Sequence, residues 1–292
     1  MKQAVIDVGS NSVRLLAMED ELPLARGSIT TRLMSGIIQG KMAEEAMERT
    51  AQAVYAHVQR AREMGIERIY AFGTSAVRDA ANRDFLLNRV RALCHLELEV
   101  MSGEQEAMLA YAGAAPQGRA GVIDIGGGST ELLCGSEGKV LRSGSAQLGA
   151  VRLLNRLGSD RDPDALVEAA LEMLSDTVRA VQGEPVARWI GVGGTITSLA
   201  AMDLELEPYS SEAIELHPIF RGAARAWLAR LCQMSVEQRY ALPGLQKRRA
   251  DIIASGVAVL CAFFQAFPEV DRVLASEHDN LEGFLRMKAR EA

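Results

Sequence analysis

No two cysteines of this chain are spaced as C-x-x-C, and the four present (Cys94, Cys134, Cys232 and Cys261) stand far apart in apolar surroundings. That argues against a disulfide framework and leaves reduced core thiols as the plain reading. The four histidines, His57, His95, His217 and His278, show no metal-ligand spacing. Net positive charge is missing too: the formal value is -6, whereas a dedicated nucleic-acid binder is usually basic. The longest apolar run, Ile252 to Phe267, is interrupted by Ser255, Gly256 and Gln265 and is short for a bilayer, so no membrane association is expected. The start, Met1-Lys2-Gln3-Ala4-Val5, runs straight into a strand without a signal-peptide layout, and a cytoplasmic protein is expected. Walker A spacing is absent, which argues against a P-loop NTPase.

What the chain does have is a repeat. Residues 5–16 read VIDVGSNSVRLL, and residues 122–133, 117 positions later, read VIDIGGGSTELL. Each copy runs strand, Asp, Gly/Ser turn, strand. A repeat of this length duplicates the start of a whole domain; it is not a solenoid period. With 292 residues, about two domains' worth, it implies two similar α/β domains facing one phosphate-sized gap. The boundary is expected at Pro116-Gln117-Gly118, giving domains 1–118 and 119–292.

The first half reads as strands to about Ile29, a helix from Ala43 to Met64, a strand from Ile66 to Phe72, a helix over 83–93 and a strand from Leu96 to Met101. Ser102 with Gln105 three residues on is a capping-box pattern opening the next helix. The second half reads as strands at 121–125, 130–135 and 139–147, then helices at 149–156 and 163–181. A strand over 187–192, a helix from Ile196, a long apolar helix over 250–267, a strand over 272–275 and a helix from Asn280 complete it.

Three Gly- or Ser/Thr-rich turns follow strands directly. In the second repeat, Gly126, Gly127 and Gly128 remove the β-carbons that would hold a ligand off the backbone. Their amides, with the hydroxyls of Ser129 and Thr130, suit the oxygens of a phosphate. Asp124, at the strand end, suits a divalent cation or its water shell. An ordinary tight hairpin tied by its Asp is the alternative. Gly9-Ser10-Asn11-Ser12 is the first repeat's turn, and Gly191 to Thr195 is the third. Thr195 is expected as a helix N-cap that aims free amides, Gly194 among them, at an anion. Lys247-Arg248-Arg249 reads either as a solvated loop or as a polyanion contact, since positive charge at a helix start is unfavourable without an anion nearby.

Six segments together resemble a known family: DVGSNSVRLL at the start, GTSAVRDAANR at 73–83, SGEQEA at 102–107, VIDIGGGSTEL at 122–132, QLGAVRL at 147–153 and RADII at 249–253. In this order they look like the exopolyphosphatase / guanosine-pentaphosphate phosphohydrolase family, over nearly the whole chain. The resemblance implies a duplicated ribonuclease-H-like, actin-like fold with its two domains flanking a cleft. It also implies magnesium-dependent hydrolysis of the terminal phosphoanhydride of polyphosphate, or of the 5′-terminal phosphate of guanosine pentaphosphate. The family's catalytic glutamate falls on Glu106, which would position and deprotonate the attacking water. Arg78 matches a phosphate-binding arginine, and Arg14 is a second candidate guanidinium, its alternative being a surface strand residue.

By the same resemblance Asp124 would hold Mg2+ directly or through water, with Glu131 beside it and Asp7 opposite. Ser10, Asn11 and Ser12 would share the phosphate with Gly126 to Ser129. Two departures stand out: Met34-Ser35 replaces the family's usual Gly-Glu pair, and a short form without the helical C-terminal extension of longer members is expected. The second puts processive action on long chains in question. Expected partners are inorganic polyphosphate or guanosine pentaphosphate, with a homodimer allowed and no nucleic acid or membrane. An actin-fold small-molecule kinase and a polyphosphate-sensing protein are the readings from other classes.

Overall fold

A computed structural model of the chain describes residues 1–35, 37, 39–114 and 118–291. The apolar run from Ala4 to Val8 is buried on both faces, as a strand with helices on each side must be. It belongs to a five-stranded sheet in the order β3-β2-β1-β4-β5 (Leu22–Thr30, Ser12–Glu19, Lys2–Val8, Arg68–Gly73, Leu98–Val100). The second sheet has six strands in the order β10-β11-β9-β6-β7-β8 (Pro218–Phe220, Arg272–Ala275, Trp189–Val192, Arg119–Ile125, Thr130–Ser136, Lys139–Ala146).

The sequence repeat is a repeat of pairing. β1 runs antiparallel to β2 and parallel to β4, while β6 runs antiparallel to β7 and parallel to β9. In register, Asp7 faces Arg14 and Asp124 faces Glu131. Even the turns match: the N–H of Gly9 donates to the carbonyl of Ser12 at 3.1 Å, and that of Gly126 to the carbonyl of Ser129 at 3.0 Å. The fold is therefore the duplicated ribonuclease-H-like, actin-like α/β architecture that the resemblance implied.

Alternate residues of β1 feed different cores. Ala4, Ile6 and Val8 pack with Met47, Ala51, Val54 and Val58 of helix α1 (Glu44–Glu63). Val5 packs on the other face with Phe72, Leu109, Leu281 and Phe284. Between β4 and β5 run α2 (Ser75–Asp79) and α3 (Arg83–Cys94). Helix α4 (Gly103–Ala114) lies between the sheets: Leu109 joins the first sheet's core, and Ala107, Ala110 and Tyr111 pack with Val122, Leu133 and Val192 of the second. Its capping box is present, with Ser102 N–H to Gln105 Oε1 at 2.8 Å and Gln105 N–H to Ser102 Oγ at 3.1 Å.

The second half continues with α5 (Ala150–Leu157), α6 (Pro163–Val181), α7 (Gly194–Asp203), α8 (Ser211–Ile214), α9 (Arg221–Gln233) and α10 (Val236–Arg239). Then come α11 (Ile253–Ala266) and α12 (Asn280–Glu291). The apolar run expected to form a long helix is α11, buried from Ile253 to Phe264 at the centre of the second half. All four cysteines are free and buried. Among the described residues, no helix is long and apolar enough to cross a membrane.

Strand β4 begins at Arg68, two residues later than expected, because the N–H of Ile66 closes helix α1 on the carbonyl of Ala61. The expected boundary residues Pro116 and Gln117 lie outside the described residues. We propose the division 1–118 and 119–292 on the ground of the two sheets. Helix α12 crosses it, packing on the first sheet through Leu281, Phe284 and Leu285.

Candidate active site

Both Asp-x-Gly turns end at the same gap. Asp7, Ser10, Asn11, Ser12, Arg14, Glu106, Asp124, Gly126, Gly127, Ser129, Glu131, Gly194, Thr195 and Arg249 all line one cleft between the halves. Sequence reading had singled out each of them. Gly128 and Arg78 stand just behind its wall. A β-carbon on Gly128 would lie 2.6 Å from Ser10 Oγ and 2.5 Å from Ser75 Oγ, so only glycine lets the two turns meet this closely.

The turns are strung so that their carbonyls are already used. In the second half, the first amides of α5 donate to the turn: Ala150 to Gly126 O at 3.0 Å, and Val151 and Arg152 to Gly127 O at 2.8 and 3.0 Å. A helix start always has such free N–H groups, and Gly149 lets them approach. A β-carbon there would lie 2.5 Å from the Gly127 carbonyl carbon. In the first half, Thr31 and Arg32 donate to Asn11 O, and Met34 donates to Ser10 O. Among the described residues, the N–H groups of Ser10, Asn11, Gly127, Gly128 and Ser129 then have no protein acceptor. Two such sets of unused donors beside one cleft make an anion-binding nest.

The carboxylates are as crowded as the amides are free. Glu106 is buried in the first turn of α4, with Arg78 Nη1 donating to its Oε2 and the Ser75 backbone N–H donating as well. Burial, only partly offset by Arg78, pushes its carboxyl up to about 7. Asp124 is pushed up to about 7 by burial and by Asp279, with Arg14 acting in the opposite direction. Burial and the neighbouring Glu106 and Asp124 hold Glu131 well above the usual range, although Ser145 Oγ donates to it at 2.7 Å. Asp7 is raised by burial as well, and its Oδ1 is buried without a hydrogen-bond partner.

Crowded buried carboxylates with one oxygen left over suit a divalent cation. Among the described residues no three His, Cys, Asp or Glu side chains converge closely enough to hold one outright. Mg2+ takes one or two carboxylates and keeps several waters or phosphate oxygens.

The cations behave differently from one another. Arg14 is not a solvated strand residue: Nε donates to Asp7 Oδ2 at 3.0 Å, and Nη1 pairs with Asp279. The run Lys247–Arg249 is a single 3₁₀ turn whose members part company. Lys247 is exposed. Arg248 donates to the carbonyl of Ser28 at 3.0 Å. The guanidinium of Arg249 lies against Gly194 in the cleft wall and makes no hydrogen bond or ion pair with another described residue. Burial, then Arg248 and Arg14, lowers it to about 10.

One expectation fails. Thr195 is not the N-cap of α7: Gly193, at φ +87°, takes that place, and Thr195 is the second helical residue. The helix thus begins two residues earlier than expected. Two residues escaped sequence reading. Ser75, within the quoted GTSAVRD segment, joins Ser10 Oγ at 3.1 Å and lines the cleft. Asp279 caps α12, its Oδ1 accepting from Leu281 N–H at 3.1 Å, and also pairs with Arg14.

Duplicated actin-like halves, with amide nests and carboxylates between them, define the class: a two-lobed α/β protein whose cleft suits an anion and a divalent cation. Comparison narrows this. A family model described as the Ppx/GppA phosphatase family matches residues 19–289. Exopolyphosphatase 2 of Mycobacterium tuberculosis is 34% identical over 308 residues, spanning 96% of this chain and 96% of that one. A guanosine-5'-triphosphate,3'-diphosphate pyrophosphatase of Photobacterium profundum is 29% identical over 278 residues, 90% of this chain and 54% of that protein. Among solved structures, the Aquifex aeolicus member of the Ppx/GppA family has a TM-score of 0.81 at 30% identity, covering 100% of this chain and 98% of its own. The chain belongs to the Ppx/GppA phosphatase family and is a hydrolase acting on phosphoanhydrides.

Proposed function

We propose that the protein is a magnesium-dependent exopolyphosphatase that releases orthophosphate from the end of inorganic polyphosphate. The observation that carries this reading is the placement of Glu106, a buried carboxylate poised near neutrality between two turns with unused amides. The end-to-end match to a protein named exopolyphosphatase 2 favours polyphosphate over the second reading, guanosine pentaphosphate.

The terminal phosphoryl group is held by the amides of Ser10, Asn11 and Gly127 to Ser129, together with the hydroxyl of Ser12. Gly194 and Thr195, at the start of α7, and the unpartnered Arg249 meet the next phosphate. Arg78 orients Glu106, and Arg14 adds positive charge while it holds Asp7. Asp124, with Glu131 beside it and Asp7 opposite, would offer Mg2+ one or two carboxylates and otherwise water, and the ion when bound would supply charge neutralisation at the phosphoryl oxygens. Glu106 takes a proton from water as the water oxygen attacks the terminal phosphorus. The bridging P–O bond breaks, and the shortened chain leaves with its electron pair. Little covalent help is needed, because positioning and charge neutralisation dominate phosphoryl transfer. A cytoplasmic location belongs to the same proposal.

The test is orthophosphate release from long polyphosphate, tripolyphosphate and guanosine pentaphosphate with Mg2+, beside a Glu106→Gln variant. Release from polyphosphate is expected, with kcat lower by roughly 10²–10⁴-fold in the variant. Release from guanosine pentaphosphate alone moves the substrate to the second reading. No release from any substrate overturns the proposal.

A further inference from the structure

The QLGAVRL segment has a side chain that the site so far leaves unused. Arg152, in the first turn of α5, is half-buried at the seam between the halves. Its Nε donates to the carbonyl of Gly128 at 2.7 Å, and its Nη2 donates to Asp79 Oδ2 at 2.6 Å. Gly128 belongs to the second half's phosphate turn. Asp79 ends α2 in the first half, and its other oxygen, Oδ1, lies 3.4 Å from Nε of Arg78. Arg78 in turn pairs with Glu106. One guanidinium edge therefore connects a turn in one half to the arginine that orients the catalytic glutamate in the other.

We infer that Arg152 is a positioning residue for this site, tying the Gly126–Ser129 turn to the Asp79–Arg78–Glu106 chain so that phosphate cradle and base are aligned together. The inference rests on the hydrolase reading above. Each arm has its own task. The Nε arm occupies the third carbonyl of the turn, after the α5 amides have taken those of Gly126 and Gly127. Left without that partner, the Gly128 peptide is free to turn its carbonyl towards the anion. The Nη2 arm shares the charge of Asp79. Without it, Asp79 is no longer fixed beside Arg78, and Arg78 loses the neighbour that braces it against Glu106. Two acceptors on one planar edge call for arginine, since the ammonium of lysine is a point charge.

Steady-state kinetics on polyphosphate with Arg152→Gln, Arg152→Lys, Asp79→Asn and the double variant Arg152→Gln/Asp79→Asn test this. Asp79→Asn breaks only the arm towards Arg78, so kcat falls about tenfold while KM stays near the wild-type value. Arg152→Gln breaks both arms, so kcat falls by a similar factor and KM rises. Arg152→Lys does not restore the wild-type values. The double variant is no worse than Arg152→Gln, because the two residues act through one bond.

Wild-type kcat and KM in Arg152→Gln, with only a lower melting temperature, would overturn the inference. So would full rescue by lysine, or a double variant whose loss is the product of the two single losses. Should Arg152→Gln fail to fold, the lysine and Asp79→Asn variants carry the test. A wild-type protein that releases no orthophosphate removes the hydrolase reading itself. An active wild type with unaffected variants removes only the role of Arg152.

Discussion

A carboxylate that takes a proton from water must itself be ionised, and burial pushes Glu106 up to about 7 against the pull of Arg78. Below that pH the group is protonated and idle; above it the group is a base. The rate constant kcat is therefore expected to rise with pH through about 7. Replacing Arg78 with Gln removes the cation that lowers the Glu106 pKa, so the rise moves to higher pH as kcat falls. Profiles of kcat for the two proteins check both the position and the direction; coincident profiles would mean that another group sets the limb. At this scale the sequence was unusually readable. The Asp7 and Asp124 pair could be placed because a repeat marks them, and Glu106 because its SGEQEA segment resembles that of the family. Ser75 and Asp279 could not, because their partners, Ser10 and Arg14, are 65 and 265 positions away in the chain.

Elements matter here through their ends. The α5 N-terminus gives its free amides to a turn of the same chain, not to a ligand, and so frees the turn's own amides for the anion. Gly149 makes that possible, since a β-carbon there would lie 2.5 Å from the carbonyl carbon of Gly127 and 2.6 Å from the nitrogen of Gly128. Both neighbours are backbone and cannot step aside alone. Gly149→Ala is expected to cost about 1–3 kcal/mol, as overpacking usually does. It should also raise KM by letting the turn's carbonyls swing free. Denaturant unfolding and KM measured together check this; a destabilised variant with unchanged KM would mean that α5 does not set the turn. Strand-turn-strand order was legible because both copies carry the same Asp and Gly spacing. The capture of carbonyls was not, because it depends on where α5 docks. Thr195 shows the same limit: its type suits an N-cap, but Gly193 takes the left-handed backbone that starts the helix.

At the scale of the whole molecule, the first half is closed by the end of the chain. Phe284 of α12 is fully buried, stacked on Phe72 of β4 at 5.1 Å between ring centroids, with Tyr70 at 5.6 Å. The start of the same helix pairs Asp279 with Arg14 and Glu282 with Arg26, both on the β2–β3 hairpin. No sequence pattern announces this return, because an amphipathic last helix is equally suited to either sheet. The consequence is that a change near the C-terminus should be felt at the N-terminus. Phe284→Ala removes a ring from a packed core, a loss usually worth about 3–5 kcal/mol. If α12 staples the first sheet, that loss appears as faster amide hydrogen exchange along β1 and β4. Amides of β6 and β9, which α12 does not cover, should keep their protection until the whole chain unfolds. Equal loss in both sheets would instead mean that the two halves unfold as one cooperative unit. The cleft, which Arg14 lines while paired with Asp279, should follow the first sheet: substrate turnover in Phe284→Ala should fall at temperatures where β6 and β9 are still protected.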